Sequence, residues 1–245
     1  MPDGTYTDGG MTATDGARRF RIGSIAPIVL GGLLAAGGVE GGPPREKGVF
    51  RKPDLVELVA LDPTIKLDVR YATANNFVGR PVYTEARAFL QRSAAEALVR
   101  AHRALKEKGY GLLIFDGYRP WSVTKLFWDV TPKSKREFVA NPKEGSKHNR
   151  GCAVDLSLYD LRSGNEVQMP SAYDEMSARA YPGYAGGTAE ERHRRDLLRS
   201  AMEAQGFTVE PNEWWHFNCK DWREYPILDI PFKDIASPAV SSPSN

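Results

Sequence analysis

Two short motifs place the strongest constraint on how this chain of 245 residues can fold. His148 and Asp155 lie seven positions apart, and about sixty residues later Glu213-Trp214-Trp215-His216 pairs a carboxylate with a second imidazole. The chain has four histidines and two cysteines, and the cysteines do not form a Cys-x-x-Cys pair. A metal site would therefore use nitrogen and oxygen ligands, and the fold would have to bring the two motifs together.

The spacing within the first motif requires a bend in the chain. On one straight strand, residues seven positions apart would point to opposite faces. Gly151 lies between them, and a glycine permits a bend after which Asp155 stands on a strand while His148 turns inward from a loop. We therefore expect the strand to begin after Gly151.

His148, Asp155 and His216 together supply three ligands suited to zinc. Three protein ligands leave one tetrahedral position open for water, which is typical of catalytic rather than structural zinc. Glu213 is then placed to act as a general base that takes a proton from the attacking water and passes it to the leaving amine. Taken singly, His148 could instead cap backbone groups of a loop, and Asp155 could form a salt bridge at a strand end.

The rest of the chain mixes helices and strands without regular β-α-β alternation. Alternating or continuous apolar residues predict strands at 65–71, 111–115, 155–159 and 214–217. This mixture favours an α+β fold with a mainly antiparallel central sheet and flanking helices.

Helix starts are marked by two capping-box sequences. Ser93-Ala94-Ala95-Glu96 precedes apolar residues at helical spacing up to Gly109, and Thr188-Ala189-Glu190-Glu191 begins a helix that ends at Gly206. Residues 121–139 have helical character in two pieces split at Pro132.

Composition favours one domain and excludes one class of partner. With 41% hydrophobic and 26% charged residues the chain can bury a core, and we place a single domain at residues 54–233. Lys and Arg number 33 against 31 Asp and Glu. This balance is too even for the basic surface that binds nucleic acid. The oligomeric state stays open.

The N-terminal residues 1–40 have the pattern of a secretory leader. Arginines at 18, 19 and 21 precede an uncharged stretch at 22–39 that ends in small residues. Pro27 and five glycines make this stretch a poor membrane span. We expect a periplasmic or secreted protein with a leader at about 18–38; the alternative is a disordered extension on a cytoplasmic protein. Residues 41–53 are expected to be flexible and 234–245 to be a disordered tail.

Four motifs in order resemble the zinc D-Ala-D-Ala dipeptidases of the vancomycin-resistance type. This family belongs to a wider group that includes D-Ala-D-Ala carboxypeptidases and the hedgehog signalling domain. Besides the two motifs above, the resemblance rests on Tyr71-Ala72-Thr73 with Asn76-Phe77, and on Asp116-Gly117-Tyr118-Arg119-Pro120. It covers roughly residues 55–231 and implies the hedgehog and D-Ala-D-Ala-peptidase-like fold.

The resemblance implies roles for five residues. One zinc ion would be held by His148, Asp155 and His216, with Glu213 as the general base. Arg119 would stabilise the tetrahedral intermediate, and a guanidinium suits that role because it can donate two hydrogen bonds to an oxyanion.

Substrate contacts are also implied. Ser146 and Asp174 would bind the dipeptide, Ser146 at its carboxylate and Asp174 at its ammonium. Asp116 would either contact the substrate or orient a neighbouring loop.

The two cysteines and the other two histidines lie outside this set. Cys152 stands three residues before Asp155, and Cys219 three residues after His216, so in extended chain both point away from the metal. In an exported protein they could form a disulfide. His102 and His193 are flanked by arginines and are expected on the surface.

The implied activity is hydrolysis of D-Ala-D-Ala. One alternative is a cell-wall D,D-carboxypeptidase or endopeptidase of the same fold that acts on longer stem peptides. Another is a zinc-stabilised binding module without activity. Glu213 and Arg119 argue against the module, because a structural zinc needs neither.

Overall fold

The structure is a computed structural model that describes residues 41–236, so the expected leader and residues 237–245 of the expected tail lie outside it. The α-helices are α1 (Leu58–Leu61), α2 (Arg92–Lys106), α3 (Trp121–Val130) and α4 (Ala189–Glu203). The strands are β1 (Leu55–Glu57), β2 (Lys66–Leu67), β3 (Phe89–Gln91), β4 (Tyr110–Asp116), β5 (Ala153–Asp160), β6 (Phe207–Glu210) and β7 (Glu213–Cys219). Short 3-10 turns lie at Arg70–Ala72, Lys133–Phe138, His148–Arg150, Ala178–Ala180, Trp222–Glu224 and Phe232–Asp234. Between residues 41 and 236, none of the helices combines the length and the apolar character that crossing a bilayer would require.

A five-stranded sheet in the order β2-β4-β5-β7-β6 forms the centre of the domain. Only β2 runs parallel to its neighbour, and the other three pairings are antiparallel. β1 and β3 form a separate antiparallel pair. The α+β class and the mainly antiparallel central sheet are therefore confirmed.

The register of the sheet brings distant residues into one row. Asp155 on β5 lies opposite His216 on β7 and, beyond a bulge in β4, opposite Asp116. Asp155 and His216 are sixty-one residues apart in the sequence but lie on neighbouring strands. Paired Cα atoms of such strands are about 4.5–5.5 Å apart. The two motifs meet as the sequence required.

Helix α2 packs on β4 through a buried histidine. His102 has no exposed surface, and its Nδ1 accepts a hydrogen bond of 3.0 Å from the backbone N–H of Leu112. The opposite ring nitrogen, Nε2, lies 2.9 Å from the Thr64 hydroxyl. The expectation of a surface position is therefore wrong for His102, because its imidazole satisfies polar groups inside the core. His193 is exposed, as expected.

Only one of the two predicted capping boxes forms. At α4, the Thr188 side chain accepts from the Glu191 N–H, and the Glu191 carboxylate accepts from the Thr188 N–H. Helix α2 instead begins at Arg92, directly after β3, and its N-cap Gln91 makes no capping side-chain bond. Ser93 lies inside the first turn, where it cannot act as the N-cap.

The segment before β1, residues 41–53, contacts the domain through two charged side chains. The Glu46 carboxylate pairs with the buried Arg150 and accepts a hydrogen bond from the Ile227 N–H. Arg51 pairs with two carboxylates of the segment 221–224. These charge-assisted bonds fix the segment beside the loop that carries His148.

The expected tail begins later than the sequence indicated. Ile235 is 8% exposed and packs with Phe232 in an aromatic cluster. Burial of these apolar side chains keeps residues 234–236 on the domain. The correction concerns only these three residues of the tail.

Candidate metal centre and active-site cleft

The three predicted metal ligands come from neighbouring elements. His148 lies in the 3-10 turn before β5, Asp155 on β5 and His216 on β7. Gly151 ends the turn with φ at 67°, and a Cβ atom there would lie 2.5 Å from Leu55 Cδ2. Both the positive φ and the close approach favour glycine, so the predicted bend is confirmed.

Three donor atoms form a nearly equilateral triangle. His148 Nε2 lies 3.2 Å from His216 Nδ1 and 3.3 Å from Asp155 Oδ1, and the third side, from His216 Nδ1 to Asp155 Oδ1, measures 3.1 Å. Ligands at zinc distances of about 2.0–2.1 Å in tetrahedral geometry are separated by about 3.3 Å. The triangle therefore fits a zinc ion.

A second observation also favours a cation at this place. Asp155 Oδ1 is buried and accepts no hydrogen bond from the described part of the chain. An unpartnered buried carboxylate oxygen is costly unless a cation binds it. All three ligand residues are buried, so the centre is shielded from bulk water.

The outer atoms of the ligands are held by hydrogen-bond partners. His148 Nδ1 lies 2.7 Å from the carbonyl oxygen of Gly117, which can only accept, so Nδ1 carries the proton and Nε2 is free to bind metal. Asp155 Oδ2 accepts from the Tyr173 hydroxyl at 3.0 Å. His216 Nε2 lies 2.8 Å from Asn218 Oδ1. Such partners orient metal ligands and set their tautomers.

The ligands also perturb one another electrostatically. Burial alone would raise the pKa of Asp155, but the two imidazoles outweigh it and hold that pKa well below the ordinary 3.8. Burial opposes protonation of His216, yet the Asp155 carboxylate 3.1 Å away raises the pKa of His216 to about 9. The cluster therefore favours positive charge beside the Asp155 carboxylate.

Glu213 stands at the start of β7 and faces the same centre. Its Oε2 lies 3.5 Å from His216 Nδ1. Burial raises the pKa of Glu213 to about 7, with the nearby His216 opposing that shift. A carboxyl group whose pKa lies near neutrality suits a general base.

Arg119 reaches the centre from the turn that follows β4. Its Nε and Nη2 lie 2.9 and 2.8 Å from Asp116 Oδ2, and Nη2 lies 3.6 Å from Asp155 Oδ2. The guanidinium carbon lies 4.7 Å from the ring centroid of Phe127. This arrangement holds the guanidinium at the edge of the metal centre.

Asp116 does not line the cleft, so of the two roles expected for it the contacts favour orienting a neighbouring group. It is 1% exposed, and its Oδ1 accepts from the Tyr83 hydroxyl and the Gly117 N–H. Its other oxygen is occupied by Arg119. Four donors therefore surround the carboxylate, and its role is to position Arg119.

The cleft beside the metal centre has a volume of about 410 Å³, and both other predicted substrate residues line it. The Ser146 hydroxyl accepts from the His148 N–H at 3.2 Å. Both oxygens of Asp174 lie 3.0 Å from the Tyr71 hydroxyl, and Asp174 has φ at 61°. Burial, followed by the charge of Asp155, raises the pKa of Asp174 well above 3.8. The aromatic residues Trp214 and Trp215 are buried around the site.

Sequence reasoning missed residues that act behind the ligands. Tyr173 and Tyr71 each bind a carboxylate of the site, and Asn218 binds His216. The signal for Asn218 was available, because a residue two positions after His216 on a strand shares its face. Tyr71 and Tyr173 reach the site from other elements, and strand periodicity does not predict such contacts.

The cysteines lie side by side but are not bridged in this structure. The Cys219 N–H donates to the Cys152 carbonyl oxygen across β5 and β7, and both thiols are free and buried. The strand-parity argument thus placed them correctly, and the disulfide between them stays a prediction. A hydrogen bond with Cys152, and then burial, raise the pKa of the Cys219 thiol, so the reactive thiolate is disfavoured.

Together, the sheet, the His-Asp-His triangle and the flanking carboxylate and guanidinium are typical of a metal-dependent hydrolase. A family profile of peptidase family M15, described as D-Ala-D-Ala dipeptidase, matches residues 51–237. The chain therefore belongs to the D-Ala-D-Ala dipeptidase family.

Similar proteins agree with this membership. A D-alanyl-D-alanine dipeptidase of Escherichia coli K12 is 32% identical over 187 residues, which cover 76% of this chain and 95% of the relative. One from Enterococcus faecium is 35% identical over 189 residues, which cover 69% of this chain and 93% of the relative. Among solved structures, the LdcB LD-carboxypeptidase covers 77% of this chain and 81% of its own, with 19% identity and a TM-score of 0.43. The match to VanXYg, a D,D-dipeptidase in complex with a D-Ala-D-Ala phosphinate analogue, covers 73% of this chain and 59% of VanXYg. It has 19% identity and a TM-score of 0.39.

Proposed function

We propose that this protein hydrolyses D-Ala-D-Ala to two D-alanines with one zinc ion held by His148, Asp155 and His216. The observation that carries the proposal is the triangle of donor atoms 3.1–3.3 Å apart, with Glu213 and Arg119 at its edge. Family membership supports the same activity, because the relatives above are D-alanyl-D-alanine dipeptidases.

The residues around the metal centre divide the work of hydrolysis. When bound, zinc supplies a Lewis acid that polarises the amide carbonyl and makes water more acidic. The Glu213 carboxylate accepts a proton from the attacking water as the new C–O bond forms, and returns it to the amide nitrogen as the C–N bond breaks. Arg119 donates hydrogen bonds to the oxygen that becomes negative, and Asp116 holds the guanidinium in place for this step.

The ends of the dipeptide require charged and polar partners. Asp174 lies in the wall of the cleft and offers a carboxylate to the substrate ammonium. Ser146, next but one to His148, offers a hydroxyl to the substrate carboxylate. Because the dipeptide has only two methyl side chains, these end groups determine its position along the cleft.

A longer substrate is the second candidate. The cleft volume of about 410 Å³ lies in the range of about 300–1,000 Å³ that accommodates drug-sized ligands. D-Ala-D-Ala is smaller than such ligands, so room remains for part of a stem peptide. A dipeptidase would require a free substrate ammonium that binds Asp174, whereas a carboxypeptidase would accept an acylated amine.

Comparing D-Ala-D-Ala with N-acetyl-D-Ala-D-Ala on the purified, zinc-loaded protein tests the proposal. Acetylation removes the ammonium charge and leaves Asp174 without its partner. Because Asp174 is half-buried, we expect a loss of about 3 kcal/mol, or roughly a hundredfold in kcat/KM. The variant Asp174→Asn should narrow this preference. Comparable kcat/KM values for the two substrates would favour a carboxypeptidase, and no hydrolysis of either would contradict the proposed activity.

We also propose that the protein is exported to the periplasm or secreted. The support is the basic and then uncharged pattern at residues 18–39. Cell fractionation and N-terminal sequencing of the full chain should find a mature protein that begins near residue 40. An unprocessed protein in the cytoplasmic fraction would contradict this location.

A further inference from the structure

A chain of three polar side chains leads away from the metal-binding face of His216. His216 Nε2 lies 2.8 Å from Asn218 Oδ1, and Asn218 Nδ2 donates to Glu210 Oε2 at 2.8 Å. Lys147 Nζ donates to the same Glu210 oxygen at 2.9 Å. Asn218 is only 5% exposed, so its amide is shielded from competing water.

The direction of the hydrogen bonds among these side chains is fixed by the charged carboxylate of Glu210. An ionised carboxylate can only accept hydrogen bonds, so Glu210 requires the NH₂ group of Asn218 to face it. The carbonyl oxygen of Asn218 must then face His216. Because that oxygen can only accept, His216 must carry its proton on Nε2, and the lone pair on Nδ1 is left free for the metal.

The other metal-binding imidazole is fixed differently. The acceptor for His148 Nδ1 is the backbone carbonyl of Gly117, which no side-chain substitution removes. The tautomer of His148 is therefore set by the fold itself. That of His216 depends on two side chains, Asn218 and Glu210.

Lys147 links these hydrogen-bonded side chains to the metal centre by a second route. It precedes His148 directly, and its ion pair with Glu210 joins the loop that carries His148 to the strand pair that carries His216. Both members of this pair are half-buried, where a charge pair is screened less than at the surface. The Lys147 ammonium thus holds the Glu210 carboxylate beside the Asn218 amide.

We propose that Glu210 and Asn218 are positioning residues that set the metal-binding tautomer of His216, with Lys147 holding Glu210 in place. This inference rests on the zinc site of the proposed function and adds to it the groups that determine zinc affinity. Loss of partners behind a metal-bound histidine typically costs about 10–100-fold in metal affinity or activity.

The first test is Asn218→Leu, which keeps the size of the side chain and removes the acceptor facing Nε2. Zinc affinity, measured by competition with a chromophoric chelator, should fall about 10–100-fold. In the zinc-loaded protein the nitrogen-15 chemical shift of His216 Nε2 should change, because the hydrogen-bond acceptor facing this nitrogen is lost. With saturating zinc, KM for D-Ala-D-Ala should change little, because Asn218 does not line the cleft.

The second test asks whether the direction of these hydrogen bonds matters or only the ion pair between Lys147 and Glu210. In the double variant Lys147→Glu/Glu210→Lys the two charges can still attract, but an ammonium now faces Asn218 and turns the asparagine oxygen away from His216. Zinc affinity should fall as in Asn218→Leu. Glu144→Gln is the matched control, because Glu144 lines the same cleft and binds Asn141 rather than a metal ligand.

The outcomes distinguish this inference from the zinc site on which it rests. A wild-type protein that binds no zinc would contradict the proposed function. Tight zinc binding by the wild type and by both variants would overturn only the present inference. Wild-type affinity in the charge-swapped variant alone would show that the ion pair matters and its direction does not, which also overturns it. Thermal unfolding of the metal-free variants checks that each has folded.

Discussion

The isosteric substitution Asp116→Asn should damage both stability and catalysis. Arg119 and Asp116 are 8% and 1% exposed, and two guanidinium nitrogens contact one carboxylate oxygen at 2.8–2.9 Å. The substitution keeps the shape of the side chain and removes its charge. It leaves a buried guanidinium without its counter-ion, and the amide can direct an N–H group at another donor.

The size of the effect follows from burial. Breaking a buried ion pair by removing one partner costs about 3–5 kcal/mol, a large part of a typical total stability of about 5–15 kcal/mol. Arg119 then has one carboxylate close by, Asp155 Oδ2 at 3.6 Å. This longer contact would replace two short ones to Asp116 and would hold the orientation of the guanidinium less firmly. Loss of one such donor lowers kcat about 10²–10³-fold.

Urea unfolding and kcat/KM of the zinc-loaded protein measure the two effects. Tyr83→Phe is the control, because it removes one hydrogen bond to Asp116 at 2.9 Å and leaves the ion pair intact. Its cost should be about 0.5–1.5 kcal/mol. If Asp116→Asn lost no more stability than Tyr83→Phe and kept its kcat, the buried pair would not position Arg119, and the reasoning would be refuted.

Three further predictions follow from single groups. Glu213→Gln should retain zinc and lose about 10²–10⁴-fold in kcat; near wild-type turnover would identify another base. Burial lowers the pKa of His102 below 6.5, so its contribution to stability is present above pH 6.5 and is lost as pH falls through the folded pKa. His102→Gln should therefore flatten the dependence of the urea midpoint on pH below 6.5, and an unchanged slope would contradict this. Cys152 and Cys219 are buried and should react slowly with iodoacetamide in the reduced, folded protein, whereas fast alkylation would show an accessible thiolate.

Adding a second proton to the His102 ring at low pH would disrupt its hydrogen bonds in the folded protein. In the folded protein Nδ1 accepts from the Leu112 N–H, so Nε2 carries the proton and donates to the Thr64 hydroxyl. The Thr64 hydroxyl in turn donates to Asp62. A second proton on the ring would point at the N–H of Leu112. This clash explains physically why the neutral form is favoured.

The metal ligands could be predicted from sequence because their spacing has geometric consequences. A glycine between His148 and Asp155 implied a bend, and strand periodicity implied which residues share a face. Both inferences use only local chain geometry. The residues that complete the site, such as Tyr71 and Tyr173, approach from other elements, and local periodicity does not predict such contacts.

Tertiary contacts also overrode local signals at two elements. The alternation at 65–71 predicts a strand, but only Lys66–Leu67 pair in β2, and the chain then turns at Arg70–Ala72 to place Tyr71 beside Asp174. Helix α2 starts at Arg92 rather than after Ser93, because Gln91 is fixed by bonds to the backbone of Gly151 and Arg150. In both cases long-range bonds determine where the element ends or begins.

Charge balance connects the metal and the substrate at this site. Among the carboxylates around the centre, Glu210 is paired with Lys147 and Asp116 with Arg119. Each of these pairs is close to neutral and serves to position a neighbouring group. The charge that remains for binding must therefore come from the other acidic residues.

Asp155, Asp174 and Glu213 carry the remaining negative charge. Their mutual proximity contributes to the raised pKa values of Asp174 and Glu213, after the larger effect of burial, so the cluster is unstable as three free carboxylates. In the proposed reaction, a divalent metal at Asp155 and a substrate ammonium at Asp174 would bring three positive charges to the same place. Glu213 would then become neutral only when it accepts the proton of the attacking water. Each carboxylate would thus be compensated at a different stage, by the metal, by the bound dipeptide and by the reaction itself, and an acylated dipeptide would leave the second stage uncompensated.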